Sequence, residues 1–130
     1  MLLYMSNITR SDIIFEVSQV AQFTAVPKVS NSKSIKSIVR FLAQNLNKGL
    51  IIKPDGTFDL KHWVDADFAG LYCREPGGNP KSVKSRYGYI VTVGGVPLIW
   101  KSQLISEICL YTFCAEYVGL TKALRALIPI

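Results

Sequence analysis

Acidic residues are scarce in this chain and unevenly placed. None occurs between Glu16 and Asp55, and none between Glu75 and Glu107. The first gap holds Lys28, Lys33, Lys36, Arg40, Lys48 and Lys53, and the second holds Lys81, Lys84, Arg86 and Lys101. The net charge is +6 and the isoelectric point about 9.3. Two acid-free basic stretches flanking an acidic pocket suit a phosphate backbone lying across a metal site, and a solvated basic surface is the plainer alternative. Cysteine is sparse too. Cys73, Cys109 and Cys114 are odd in number and form no CxxC, which argues against both a disulfide framework and a zinc site and leaves buried, reduced thiols. His62 is the single histidine, either an ordinary strand position or a neighbour of a metal. No apolar run reaches the roughly 18 residues of a membrane span. The opening Met-Leu-Leu-Tyr-Met is too short for a signal-peptide core and has no basic residue ahead of it. Repeats and low-complexity tracts are missing as well. These absences predict a soluble, intracellular chain, cytoplasmic or nuclear.

What is present is core-forming sequence. Of 130 residues, 49% are hydrophobic and only 18% charged, enough for one small domain or the parts of two and too apolar for a disordered tail. Thr9-Arg10-Ser11-Asp12 reads as a helix start with Thr9 or Ser11 as N-cap, followed by Ile13, Ile14, Val17, Val20 and Ala21 at helical spacing and stopped by Pro27. Ser30-Asn31-Ser32 can cap a second helix with the stripe Ile35, Ile38, Val39, Leu42 and Leu46, closed by Asn47-Lys48-Gly49 with glycine in a left-handed position. Two amphipathic helices over residues 9 to 48 predict a helical hairpin.

The period then changes. Leu50-Ile51-Ile52-Lys53 is a short strand candidate and Pro54-Asp55-Gly56 is turn chemistry. Phe58, Leu60, His62 and Val64 alternate with Asp59, Lys61, Trp63 and Asp65, a strand with mixed burial. A polar loop spans residues 71 to 86. Tyr87 to Val93 and Val96 to Lys101 flank Gly94-Gly95, a hairpin signal, and Pro97 is tolerable if its strand lies at a sheet edge. Tyr111 to Leu127 reads as a helix, stopped by Pro129. The fold class expected is α/β, with an N-terminal helical hairpin over residues 1 to 54 and a sheet with a packed helix over residues 55 to 130.

Strand, loop, hairpin and helix in that order bring Asp65 and Glu116 to neighbouring elements. Two carboxylates held close repel, which raises the pKa of one unless a cation neutralises them. Mg²⁺ or Mn²⁺ would do so, and a metal pair can activate water and stabilise a leaving oxygen in phosphodiester cleavage. Asp67 shares a face with Asp65 if the strand continues, as a candidate ligand or as a cap on the turn that follows. On spacing alone this is a weak signal.

The ordered set Thr9-Arg10-Ser11-Asp12-Ile13, Val17-Ser18-Gln19-Val20-Ala21, Gly49-Leu50, Val64-Asp65-Ala66-Asp67-Phe68-Ala69-Gly70, Lys84-Ser85-Arg86-Tyr87-Gly88-Tyr89, Ile99-Trp100-Lys101-Ser102 and Ala115-Glu116-Tyr117 resembles the Pol polyprotein of copia-type retrotransposons. It is similar to the end of the reverse transcriptase followed by a C-terminally truncated ribonuclease H domain. The resemblance implies a partial ribonuclease H-like mixed sheet. It also implies metal-dependent hydrolysis of RNA in RNA–DNA hybrids, with Asp65 and Glu116 as catalytic metal ligands. Residues 1 to 54 would then correspond to the polymerase thumb and connection region, which grips the hybrid by its backbone. Lys33, Lys36, Arg40, Lys84, Arg86 and Lys101 are the candidate nucleic-acid contacts, from their charge.

The chain departs from that family in two ways. Tyr111, Phe113 and Cys114 stand where members carry a small polar and acidic lead-in. The family's third and fourth acids and the strand beside the one bearing Asp65 have no counterpart. The expectation is a fragment inactive alone, binding Mg²⁺ weakly, with an open apolar sheet edge prone to association. Its partners would be nucleic acid or the remainder of the polyprotein, with no membrane. A non-catalytic nucleic-acid-binding module and a non-functional relic reading frame are the alternatives. A binding module would keep salt-dependent affinity after Asp65→Asn, whereas an enzyme would keep binding and lose cleavage.

Overall fold

The computed structural model describes residues 1–70, 72 and 83–129. It divides into two compact units, Met1–Ile52 and Lys53–Ile130.

The first unit is helical. It contains α1 (Leu2–Ile8), a 3-10 turn (Ser11–Ile13), α2 (Ile14–Ala21) and α3 (Val29–Gln44). Its core is Ile13, Val17 and Ile38, with Leu2, Val20 and Leu42 packed around them. The helix expected to begin at Thr9 is interrupted there. Thr9 ends α1, neither Thr9 nor Ser11 caps through its side chain, and α2 proper starts at Ile14. Asp12 turns instead to Arg10, which makes a two-pronged ion pair with it, Nε to Oδ1 at 3.0 Å and Nη2 to Oδ2 at 2.8 Å. A third guanidinium donor reaches the Asn45 carbonyl at 3.2 Å, tying this turn to the end of α3. The fork geometry of arginine makes all three bonds possible from one side chain.

α3 also departs from expectation. It begins at Val29, before the serines, and Lys28 at its N-cap offers no side-chain bond. It stops at Gln44, short of Gly49, and Gly49 is not left-handed. Of the apolar stripe only Ile38 is buried, because α2 is too short to cover more; Ile35, Val39 and Leu46 remain exposed. A cavity of about 450 Å³ between α2 and α3 is lined by residues that include Phe15, Glu16, Gln19, Ser37 and Phe41. The strand expected at Leu50–Lys53 does not form. Those four residues have the apolar character of a strand but no neighbouring strand to pair with.

The second unit is a three-stranded antiparallel sheet, β1 (Leu60–Asp67), β2 (Arg86–Val93) and β3 (Val96–Leu104), in the order β1-β2-β3, followed by α4 (Thr112–Leu127). The mixed α/β class holds, with helices first and a sheet carrying a helix second, an arrangement consistent with a partial ribonuclease H-like fold. The sheet is antiparallel throughout the described residues, in place of the mixed sheet expected. β2 and β3 turn at Gly94 and Gly95, both at positive φ (55° and 76°), which only glycine adopts freely twice in succession. Pro97 sits on the edge strand β3 beside a register shift at Val91/Thr92, where a missing N–H costs least.

Alternation divides the sheet into two faces. His62, Val64, Ala66, Tyr87, Tyr89 and Val91 turn towards α4, and Trp63, Asp65, Asp67, Arg86 and Ile90 turn the other way. α4 lies over β1 and β2. It approaches closely because Gly119 has no side chain: a methyl there would stand 3.2 Å from the Tyr87 Cβ and 3.6 Å from the Ala66 Cβ. Tyr87, Ile105, Cys109 and Ala115 form the core beneath it.

Candidate functional site

β1 carries the first acid because its alternation is regular across the register Leu60↔Val93 to Asp67↔Arg86. Asp65 is exposed, and its partner on β2 is Gly88, so no side chain stands opposite it. α4 carries the second. Glu116 is exposed, one turn before Gly119, on the helix that rests on Val64 and Ala66. The two elements are adjacent, but the carboxylates leave from different sides of the sheet, Asp65 from the open face and Glu116 from the helix packed on the other. No group of three or more His, Cys, Asp or Glu side chains comes together as metal ligands among the described residues. Two acids on different sides of the sheet do not make a closed Mg²⁺ cage.

Asp67 plays a local part. The chain bends sharply after β1, with Ala69 at φ 48°, and the Asp67 carboxylate fills the space that a side chain at position 70 would need. A side chain at position 70 would therefore have to displace that carboxylate. The Ala69 N–H donates to the Ser85 hydroxyl at 3.3 Å, and the Ser85 carbonyl receives the Ile105 N–H at 2.8 Å. Ser85, fully buried, thus joins the ends of all three strands. The sequence marked Ser85 only as part of a motif; its burial between two elements is the signal it could not supply.

The candidate basic residues fall three in each unit, in different settings. Lys33, Lys36 and Arg40 are exposed along one side of α3. Lys84 donates to the Ser106 carbonyl at 2.6 Å. Arg86 is buried, with Nη1 3.3 Å from the Ser102 hydroxyl. Burial pulls its pKa down, and the Asp67 carboxylate across the strand pair pulls it up. Lys101 lies on the opposite face of β3 from Ser102 and is exposed. His62 is half-buried on the α4 face, its ring edge-on to Tyr89 at 5.9 Å, and its Nε2 is buried without a hydrogen-bond partner among the described residues. Burial raises the pKa of both Tyr87 and Tyr89.

Cys109 and Cys114 are free thiols, the first buried. Burial chiefly, and the neighbouring Cys114, raise the Cys109 pKa, so it stays a thiol at neutral pH. Cys73 and Lys81 lie outside the described residues, as does most of the loop expected over residues 71 to 86. No helix among the described residues is long and apolar enough to cross a membrane.

No family model and no solved structure matches the chain. Over 109 residues, 84% of its length, it is 32% identical to the Retrovirus-related Pol polyprotein from transposon RE1 of Arabidopsis thaliana. Over 109 residues it is also 28% identical to the corresponding protein from transposon RE2 of the same plant. The chain spans 7% of the length of each. It is 27% identical over 122 residues to the Secreted RxLR effector protein 161 of Plasmopara viticola, covering 94% of this chain and 80% of that one. Over most of its length the chain is therefore a homologue of a short stretch of copia-type retrotransposon Pol polyproteins.

Proposed function

We propose that this chain is a segment of a retrotransposon reverse transcriptase and ribonuclease H polyprotein. Its parent activity is metal-dependent hydrolysis of RNA in RNA–DNA hybrids, and the segment is inactive alone. One observation carries the reading. Asp65 near the end of β1 and Glu116 in the helix after β3 lie on adjacent elements in the order the family resemblance implies, and no group of three or more metal-ligating side chains forms among the described residues. The cation implied for the parent activity would supply an activated water and charge stabilisation at phosphorus, and Asp65 and Glu116, on different sides of the sheet here, would not hold it by themselves. The other acids would come from the remainder of the polyprotein.

The test is cleavage of a labelled RNA–DNA hybrid by the purified chain with Mg²⁺ and with Mn²⁺, beside Asp65→Asn and Glu116→Gln. No cutting by folded protein is expected. Metal-dependent cutting that either substitution abolishes would mean that two carboxylates suffice, and the inactive reading would be wrong. Cutting that both substitutions leave intact would remove the site assignment altogether.

The exposed row Lys33, Lys36 and Arg40 favours a second reading, backbone binding without catalysis. Its affinity would survive Asp65→Asn, and each of the three residues changed to Ala would lower the salt slope by about one.

A further inference from the structure

We propose that Cys109 and Cys114 are a reversible dithiol–disulfide pair, which hydrogen peroxide oxidises and a small thiol reduces, and that their bond staples the first turn of α4 to the segment following β3. The pair lies wholly within the second unit, and the proposal stands apart from the catalytic reading.

The chain path brings the two sulfurs together. β3 ends at Leu104 and α4 begins at Thr112, so Cys109 lies in the connection and Cys114 in the first turn of the helix. Tyr111 at the N-cap is extended (φ −143°, ψ 161°), and its carbonyl receives the Cys114 N–H at 3.1 Å. Cys109, 4% exposed, belongs to the core with Tyr87, Ile105 and Ala115, and Cys114 packs against the same cluster. The Cys109 thiol donates a hydrogen bond to the Cys114 sulfur, and the Ser85 hydroxyl donates one to Cys109. Both cysteines are free thiols. Sulfurs already in contact need only small side-chain rotations to bond, whereas distant cysteines would need the backbone to move. Cys114 stands where the resembled family carries a small polar and acidic stretch, so the pair lies outside the metal site that the resemblance implies.

The two thiols differ in the way such a pair needs. Burial, with the hydrogen bond to Cys114, raises the Cys109 pKa, so Cys109 keeps its proton at neutral pH. Cys114 is half-buried and is the sulfur an oxidant reaches. Its thiolate attacks one peroxide oxygen. The O–O bond breaks, the sulfur becomes a sulfenic acid, and the departing hydroxide takes up a proton as water. The Cys109 sulfur then attacks the Cys114 sulfur, the S–O bond breaks, and the sulfenic hydroxyl leaves with the Cys109 proton as a second water. One peroxide has then taken two electrons from two thiols. Two molecules of a small thiol such as glutathione return them by exchange at the Cys114 sulfur and leave as their own disulfide. The Ser85 hydrogen bond steadies the Cys109 thiolate released in that exchange.

The bond acts on the seat of α4. The bridged residues straddle the N-cap, where no side chain bonds to the start of the helix. The disulfide supplies that hold, directly before Ala115, which is fully buried against the sheet. Reciprocity fixes the direction: a fold that favours the bond is favoured by the bond by the same factor.

The full chain is treated with hydrogen peroxide, alkylated with iodoacetamide and digested with trypsin for mass analysis. Cuts after Lys101 and Lys122 leave Cys109 and Cys114 on one peptide, and a cut after Arg74 leaves Cys73 on another. The peptide of residues 102–122 should lose two hydrogens and take no label, and dithiothreitol should return it to two labelled thiols. In glutathione buffers the bond should form about tenfold more readily in the folded chain than in urea, a difference that closeness in sequence alone would not give. Oxidised chain should then show about tenfold less unfolded protein at a given urea concentration, read by tryptophan fluorescence. Cys109→Ala should leave Cys114 as a sulfenic acid that dimedone labels, and Cys114→Ala should leave Cys109 unoxidised, with far-UV circular dichroism checking that both variants fold. Thiols that stay open to alkylation after peroxide overturn the proposal. So do oxidation that runs only to sulfinic acid, a bridge to Cys73 or between chains, dimedone labelling at Cys109 in place of Cys114, or a bond that forms equally well in urea.

Discussion

Gly119 offers the most direct test of how α4 meets the sheet. In an exposed helix interior, Gly→Ala stabilises by about 1 kcal/mol through propensity alone. At Gly119 the new methyl would lie 3.2 Å from the Tyr87 Cβ, 3.6 Å from the Ala66 Cβ and 3.8 Å from the Val64 Cγ1. Carbon pairs rest at about 3.5 to 4.0 Å, so the last two contacts are comfortable and the first is too tight. Tyr87 cannot yield, because its Cβ is fixed to the middle strand, held by neighbours on both sides. The helix must lift by a few tenths of an ångström, loosening Ala115 and Ala123, both fully buried. Overpacking of this kind costs about 1 to 3 kcal/mol, so Gly119→Ala should lose about 1 kcal/mol net, and Gly119→Val about 3 kcal/mol. Both tryptophans, Trp63 and Trp100, belong to the second unit, so urea unfolding followed by tryptophan fluorescence reports on it alone. If Gly119→Ala raises stability by the full propensity gain, the helix is not seated on Tyr87 and this account of the packing fails.

Other perturbations probe the remaining joints. Ser85→Ala leaves the Ala69 N–H without its acceptor inside the fold and should cost about 1 to 2 kcal/mol by the same fluorescence titration, with Ser85→Thr recovering part of it. Gly70→Ala forces the Asp67 carboxylate off its position and should cost about 1 kcal/mol; in an Asp67→Ala background that cost should vanish, which a double-mutant cycle reads directly. Asp12 has its pKa lowered chiefly by the hydrogen-bonded Arg10 guanidinium. A depressed folded-state pKa gives stability present above the unfolded value, near 3.9, and lost as pH falls through the folded value. Helicity of the first unit should therefore weaken below about pH 4, and Asp12→Asn should flatten that slope; an unchanged slope would remove Asp12 from the account.

The sequence was most legible where local chemistry and tertiary partners agree. The Gly94-Gly95 pair announced the β2–β3 turn because its backbone demands glycine. Period-two alternation marked β1, although the strand runs on to Asp67. The apolar spacing after Tyr111 marked α4. It was least legible where a partner decides. Leu50–Lys53 looks like a strand and is none, for want of a neighbour. The Ile35 to Leu46 stripe looks like a buried face, yet a short α2 covers only its middle. α1 went unread because Leu2–Ile8 has no cap and no long period. The candidate site shows the same limit. Motif order put Asp65 and Glu116 on adjacent elements, but which face of a strand a side chain leaves from depends on where the helix settles, and that is set by the bare backbone at Gly119.

The turn at Gly94 has a kinetic consequence. The Asp55 N–H donates to the Gly94 carbonyl at 3.0 Å, the Gly94 N–H donates to the Asp59 carbonyl at 3.1 Å, and a methyl on Gly94 would stand 2.8 Å from the Thr57 carbonyl oxygen. The segment leading into β1 therefore grips the hairpin tip, and it has nothing to grip until that tip exists. Local contacts close before distant ones, so the β2–β3 hairpin forms early and serves as the mould against which β1 finds its register. Damage at the turn should slow refolding, whereas damage under α4 should chiefly hasten unfolding, so the order of assembly can be read from two sets of rates.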